Sequence, residues 1–414
     1  MSALVAVRAR ALAARSTPDG RERSAYLRLG TAWGLMLLNV IGYDGVIVHV
    51  PSAIGKAITQ GALPLALLLL LSVNRRMVVR PNVFLCIVTL LPLEAIVTAM
   101  DPQFLGTVYR TVRLAEFVAA LWLLSPWFGR RDMLLVRYQL TAYAVVLASV
   151  IVGVPLAPGT ALGTGRLQGT IWVVPATQVA HYSAILLGSA VILWACGKLR
   201  GRLTLMIVAV TSVMLLLTHT RTALTGAIAG IVVAGLSLIE RYVRVRKLFL
   251  GAIVVVSIAV VTVSSLITAW LTRGESSQEL GDLTGRTKVW GPLLALPRDR
   301  FQEIFGFGLS NSSFNGLPID SNWLSSYQEQ GLLGAAICAV ILLFLLIAAS
   351  SQPTGPRRAL ALFLVTYCLV ASFTEDGFTD ATPYMLDLFV AASLLLPPLT
   401  GEVQGMRPID DGLS

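Results

Sequence analysis

Residues 332–350 read LLGAAICAVILLFLLIAAS, an apolar run without one charged side chain. A run of that length belongs either in the centre of a large soluble core or in the hydrocarbon of a bilayer, which a helix of roughly 20 apolar residues crosses. Repetition decides between them. Twelve such segments follow one another, at 29–50, 54–73, 82–100, 104–124, 134–154, 178–197, 202–218, 222–240, 247–270, 329–349, 357–373 and 380–398. In a chain of 414 residues that is 56% hydrophobic and only 13% charged, with a mean hydropathy of +0.76, too little polar surface remains to cover so much apolar material in water. The expectation is an all-α polytopic membrane protein, because in lipid each backbone polar group must be satisfied inside its own segment.

Basic residues test the segment count independently, since short cytoplasmic loops collect Lys and Arg. They alternate. Arg21, Arg23 and Arg28 precede the first segment; Arg75, Arg76 and Arg80 follow the second; Arg130, Arg131 and Arg137 follow the fourth. Lys198, Arg200 and Arg202 come next, then Arg241, Arg244, Arg246 and Lys247, and finally Arg357, Arg358 and Arg407. Both termini are thereby expected in the cytoplasm. The organisation reads as a cytoplasmic tail 1–28, transmembrane helices 1–9 over 29–270, one large external loop 271–328, helices 10–12 over 329–398 and a cytoplasmic tail 399–414. The net charge of +10 then reflects topology and contact with anionic headgroups; no basic stripe interleaved with aromatics speaks for nucleic acid. Arginines also break residues 1–28 too often for a secretory leader.

Several chemistries find no signal. Cys86, Cys196, Cys338 and Cys368 fall in expected spans without C-x-x-C spacing and read as small apolar residues. His49, His181 and His219 are scattered without metal-ligand spacing. Neither a P-loop, nor a dinucleotide glycine pattern, nor a Gly-x-Ser-x-Gly elbow occurs, so neither ATP nor another cofactor is expected.

The unusual residues gather in the segments expected outside. One is 155–177, with Arg166; a second is the turn LTHTRTAL, with Arg221; the third is 271–328, too long for a mere connector. Inside the third, apolar spacing predicts a helix over 288–296, a glycine turn at Gly306 and Gly308, and a second helix starting near Ser321. Asp320 then reads either as that helix's N-cap carboxylate or as a functional acid. Arg110, Arg113 and Glu116 share one face of the fourth span, as an internal bracing pair or as an anion site; Asp44 and Glu94 read as structural. Trp290 and Trp323 are candidates for sugar stacking or for interfacial anchoring. Glu375, Asp376 and Asp380 crowd the last outer turn, either merely solvated or set to bind acceptor hydroxyls and orient arginines.

The order of short motifs resembles the O-antigen ligase and O-antigen polymerase family. GRLQGTIWVVPATQVAHY at 165–182 is similar to that family's Arg-x-x-Gly outer-loop motif; T-R-T-A-L opens a span at Thr220; G-R-T-K-V-W begins at Gly285, G-F-G-L-S-N at Gly306 and G-L-L-G at Gly331. The resemblance covers about 160–398, and IDSNWL in place of a His-Asn pair looks more like members from high-GC Gram-positive bacteria. It implies a GT-C-type membrane glycosyltransferase that works without a metal or cofactor. The donor would be a polyprenyl-diphosphate-linked glycan, the acceptor a glycan, wall component or lipid, and the site the external face of the cytoplasmic membrane. Carried over residue by residue, Arg221 and Arg286 would hold the donor diphosphate; Lys288 and Arg166, by their positions in the outer segments, are weaker accessory candidates, and Arg110 or Arg113 would assist from the fourth span. The family's catalytic histidine stands eleven positions before the first Gly of G-L-L-G, where this chain has Asp320. A transporter or flippase, or a non-catalytic partner of a polysaccharide assembly machine, is the alternative reading.

Overall fold

The computed structural model describes residues 20–41, 47–48, 50–100, 107–163, 165–252, 286–310 and 312–397. Helices dominate. They are α1 (Gly20–Leu38), α2 (Ser52–Val73), α3 (Val83–Ala99), α4 (Val108–Leu124), α5 (Leu134–Leu156), the single turn α6 (Pro158–Ala161), α7 (Ala176–Ala195), α8 (Gly201–Leu217) and α9 (Arg221–Leu236). After a further helical stretch at 243–252 come α10 (Thr287–Ala295), α11 (Arg300–Phe305), α12 (Asn322–Ser350), α13 (Pro356–Ala371) and α14 (Pro383–Leu395). Among the described residues, α2, α5, α7 and α12 are long and apolar enough to cross a membrane, and α3, α8, α9 and α14 are shorter apolar helices. The chain is a mostly helical membrane protein.

Helices coincide with the expected segments from 54–73 through 222–240 and from 329–349 through 380–398. The first does not. α1 starts at Gly20, inside the stretch read as a tail, and ends at Leu38, well short of residue 50. Its buried positions Leu29, Ala32, Trp33, Met36 and Leu37 form one apolar face at helical spacing, while its first turns, with Arg21, Arg23 and Arg28, are too polar to register as part of an apolar run. Residues 1–19, Asp44, His49, 253–285 and 398–414, to which several of the expectations refer, lie outside the described residues.

α13 is the centre of the bundle, buried along nearly its whole length and packed on α7, α9, α12 and α14. Glycines permit that closeness. A Cβ at Gly230 would stand 2.7 Å from the Phe363 ring and one at Gly226 3.0 Å from the Tyr367 ring, while one at Gly188 of α7 would collide with Phe363. Without a hydrophobic drive between helices in lipid, such small-residue seams are how packing contacts are won. The buried cysteines are Cys338 and Cys368, whereas Cys86 is exposed on α3.

The two ends of the bundle differ in character. At one end Arg80 donates to the carbonyls of Phe128 and Pro397, Arg357 to those of Gly129 and Leu396, and Arg241 to that of Thr354. These are basic residues expected on the cytoplasmic side, spent on carbonyls left open at helix termini. The opposite end carries a cap built from 286–330. Within it Val289, Leu293 and Ile319 form a small core of their own, ringed by Trp290, Phe314, Leu324 and Tyr327. α12 bends where it leaves this cap, at Gly331 (φ 64°), whose backbone rests against Ile304 and Gly306 too closely for any side chain.

Candidate functional site

The end of the bundle that carries the cap gathers the motif residues, and the turn 372–382 between α13 and α14 is what gathers them. Asn322, fully buried at the start of α12, donates its backbone N–H to the Ser372 carbonyl (3.0 Å) and accepts from the Phe378 N–H (2.9 Å). Its amide nitrogen reaches Cys338 Sγ at 3.0 Å. Ser326 and Thr379 share a hydroxyl hydrogen bond of 3.0 Å. The turn is therefore fixed to the helix that follows Asp320.

Asp320 is not a helix cap. Ser321 occupies the N-cap position, and Asp320 sits before it in the left-handed region (φ 44°), uncommon for a side chain other than Asn, Asp or Gly. Its Oδ2 lies 3.9 Å from Nε of Arg286, the N-cap residue of α10. Arg286 in turn donates through Nη2 to the Thr374 carbonyl at 3.3 Å. From the other side Thr222, next to Arg221 in the first turn of α9, bonds the Thr374 hydroxyl at 2.6 Å. The T-R-T and G-R-T motifs thus meet at one residue of the last turn. Arg166 closes this side: it donates to the Thr218 carbonyl (2.9 Å) and to Thr220 Oγ1 (3.1 Å), bracing the bend that presents Arg221.

Arg110 and Arg113 of α4 both reach the same turn, at 4.0 and 3.5 Å from Asp380 Oδ2, and Arg113 also donates to the Ala381 carbonyl at 3.2 Å. Their acidic partner is thus Asp380 rather than Glu116 of their own helix. Lys288 stays exposed on α10. Trp290 spends its indole N–H on the Ile319 carbonyl (2.8 Å) and so braces the cap internally, whereas Trp323 packs beside Phe373 and ties the cap to the bundle.

A cavity of about 260 Å³ opens beside this cluster, between α4, α7 and the 372–382 turn. Arg110, Gln178, Ser312, Glu375, Asp376 and Asp380 supply its polar wall, and His181 and Tyr384 its floor. Ser312 is held in place by Glu329, whose Oε1 accepts from Ser310 N (3.0 Å), Ser310 Oγ (2.7 Å) and Ser312 N (2.8 Å). Glu375 is half-buried, and burial, reinforced by the charges of Asp320 and Asp376, pushes its carboxyl up to about 8 against the pull of Arg286 and Arg166. Asp376 is likewise raised by burial, which a hydrogen bond from Ser312 opposes.

Below the floor runs a polar chain that motif reading missed. His181 Nε2 lies 2.9 Å from Asp387 Oδ2, and its Nδ1 lies 3.1 Å from the Tyr367 hydroxyl. Asp387 Oδ1 accepts from Gln139 (2.7 Å) and Tyr143 (3.2 Å), and Gln139 accepts from the Trp33 indole at 2.8 Å. The signal was present: a single Asp inside an apolar run, costly there unless partnered.

The family model described as O-Antigen ligase matches residues 205–332, the stretch that holds Arg221, Arg286 and Asp320. No curated protein matches the chain. The match supports the resemblance carried by the motifs, and that family implies membrane glycosyl ligase or polymerase activity in general.

Proposed function

Starting from an O-antigen ligase-like membrane chain, we propose that it transfers a glycan from a polyprenyl-diphosphate donor to an acceptor hydroxyl on the outer face of the cytoplasmic membrane, inverting the anomeric carbon without a metal ion. The twelve-span topology and a GT-C-type architecture belong to the same reading. The observation that carries it is the meeting of the Arg221 and Arg286 segments at Thr374.

Glycosyl transfer breaks the bond between the anomeric carbon and a phosphate oxygen, and negative charge grows on the departing diphosphate. Arginine suits that charge, being permanently protonated and offering a planar fork that matches phosphate oxygens. Arg221 and Arg286 hold the diphosphate, Arg166 supports the bend behind them, and the N-terminus of α9 adds its partial positive charge. Charges fixed in place before the reaction lower the barrier without reorganising during it. The acceptor proton passes to a carboxylate of the adjoining cluster, which contains Asp320 and Glu375. Acceptors that fit are another glycan, a wall component or a lipid.

The test is the pool of lipid-linked glycan, measured by mass spectrometry in cells lacking this chain and in the same cells given wild type or Arg286→Gln. Accumulation that only wild type clears is the expected result. Single repeat units in that pool indicate a polymerase and long chains a ligase; an unchanged pool overturns the donor assignment.

A further inference from the structure

We propose that Glu375 is the base that takes the proton from the acceptor hydroxyl, and that Asp320, which stands at the position of the family histidine, instead tunes Arg286 and Glu375 by its charge. This rests on the transfer reading above. It goes beyond it by assigning the proton to a residue outside the 205–332 stretch, in a turn that the motifs do not reach.

Geometry separates the two carboxylates. Glu375 lines the 260 Å³ cavity, an enclosure of the scale of one sugar ring, whereas Asp320 lies outside that lining, half exposed, against Arg286. A base must stand within hydrogen-bond reach of the proton it removes, which favours the carboxylate that faces the space where a hydroxyl can sit. Gln178 also lines this cavity.

The surroundings of Glu375 also set its proton affinity for the task. Asp320 and Asp376 face it with negative charge, Arg286 and Arg166 with positive charge, and Tyr367 of α13 and Tyr384 of α14 close on it from below. Arg110 and His181 share its cavity, with Arg110 engaged by Asp380. Burial above all, with this balance of charges added to it, holds the carboxyl near 8, where it is a far stronger base than an ordinary carboxylate and still ionises near neutral pH. In the step itself, the acceptor oxygen bonds to the anomeric carbon as its proton moves to the Glu375 carboxylate. The bond from that carbon to the phosphate oxygen breaks, and its electron pair leaves with the diphosphate held by Arg221 and Arg286. Glu375 then returns its proton to water.

The experiment uses full-length protein in detergent, with the lipid-linked glycan extracted from cells lacking this chain as donor and membranes of those cells as the source of acceptor. Rates are followed from pH 5.5 to 9.5 for wild type, Glu375→Gln, Glu375→Asp and Asp320→Asn. Wild type is expected to show kcat/KM rising with pH through a midpoint near 8. Glu375→Gln should lose about 10²–10⁴-fold in kcat and lose that limb, with donor KM nearly unchanged, and Glu375→Asp should regain part of both. Asp320→Asn should keep the limb. If wild type consumes donor but Glu375→Gln keeps its rate and its limb, or Asp320→Asn alone abolishes both, the assignment to Glu375 is overturned while transfer stands. If wild type consumes no donor, the transfer reading falls and takes this proposal with it.

Discussion

Asp320 Oδ2 stands 3.9 Å from Arg286 Nε, and both charges bear on Glu375, the first raising its proton affinity and the second lowering it. Removing the negative member makes Glu375 easier to ionise. Asp320→Asn is therefore expected to move the rising limb of the pH–rate profile to lower pH by a fraction of a unit, with the plateau rate kept within about tenfold. Loss of all transfer at every pH in this variant would instead give Asp320 the proton-accepting role.

Arg286 has a different signature. Arg286→Lys keeps the charge but loses the fork that reaches both Thr374 and a phosphate oxygen. The expected outcome is a fall of roughly 10–100-fold in kcat/KM, accompanied by a rise of the pH midpoint if the shorter cation sits farther from Glu375. Steady-state kinetics against donor concentration separates the two effects. A variant indistinguishable from wild type would remove Arg286 from the diphosphate site.

Much of this was legible in the sequence, and what was not has physical reasons. Apolar runs located most of the helices because lipid leaves a backbone little choice, whereas Asp320 was marked by the family resemblance, as the residue eleven positions before G-L-L-G. α1 was displaced because its first turns carry Arg21, Arg23 and Arg28 and so fall outside any apolar run. The cap held two signals that went unread. Asp299 and Gln302 form a capping box that starts α11. Asn315 and Gly316, both at positive φ, turn the two-stranded hairpin Ser313–Phe314 with Leu317–Pro318. What no local pattern carries is the convergence on Thr374, since Thr222 and Arg286 stand 152 and 88 residues before it. The state of Glu375 is hidden for the same reason, being set by burial and by charges from distant segments.

Glu375 should also cost the fold stability. Its carboxyl titrates near 8 in the folded chain against an ordinary 4.5, so between those values the folded state holds a proton that the unfolded state has lost. Stability contributed at this site therefore falls as pH rises through that window. Glu375→Gln, which cannot ionise, is expected to melt roughly 1–3 °C higher than wild type at pH 7.5 and to match it at pH 4.5. Thermal unfolding of the detergent-solubilised protein at the two pH values reads this directly, and a variant that is less stable at pH 7.5 would contradict it.

The carboxylates Asp320 and Glu375 lie close to Arg286, to which the diphosphate charge is assigned, with Asp376 and Asp380 in the same turn as Glu375. Donor consumption should then stay within about twofold when excess EDTA is added, because no step draws on a divalent ion. A collapse of the rate that Mg²⁺ or Mn²⁺ restores would show that these carboxylates hold a metal.

His181 and Asp387 form the buried foundation beneath the cavity, 2% and 0% exposed, and join α5, α7, α13 and α14 through Gln139, Tyr143 and Tyr367. Removing one member of such a pair strands the other without water to solvate it. Asp387→Leu is therefore expected to destabilise the protein by roughly 1–3 kcal/mol, and combining it with His181→Phe should restore part of that loss, since an apolar pair leaves no buried polar partner unsatisfied. A thermodynamic cycle of the two single variants and the double variant, read by thermal unfolding in detergent, measures the coupling. Strict additivity would mean that the two side chains are neighbours without being partners, and the cavity floor would then have to be held by the tyrosines alone.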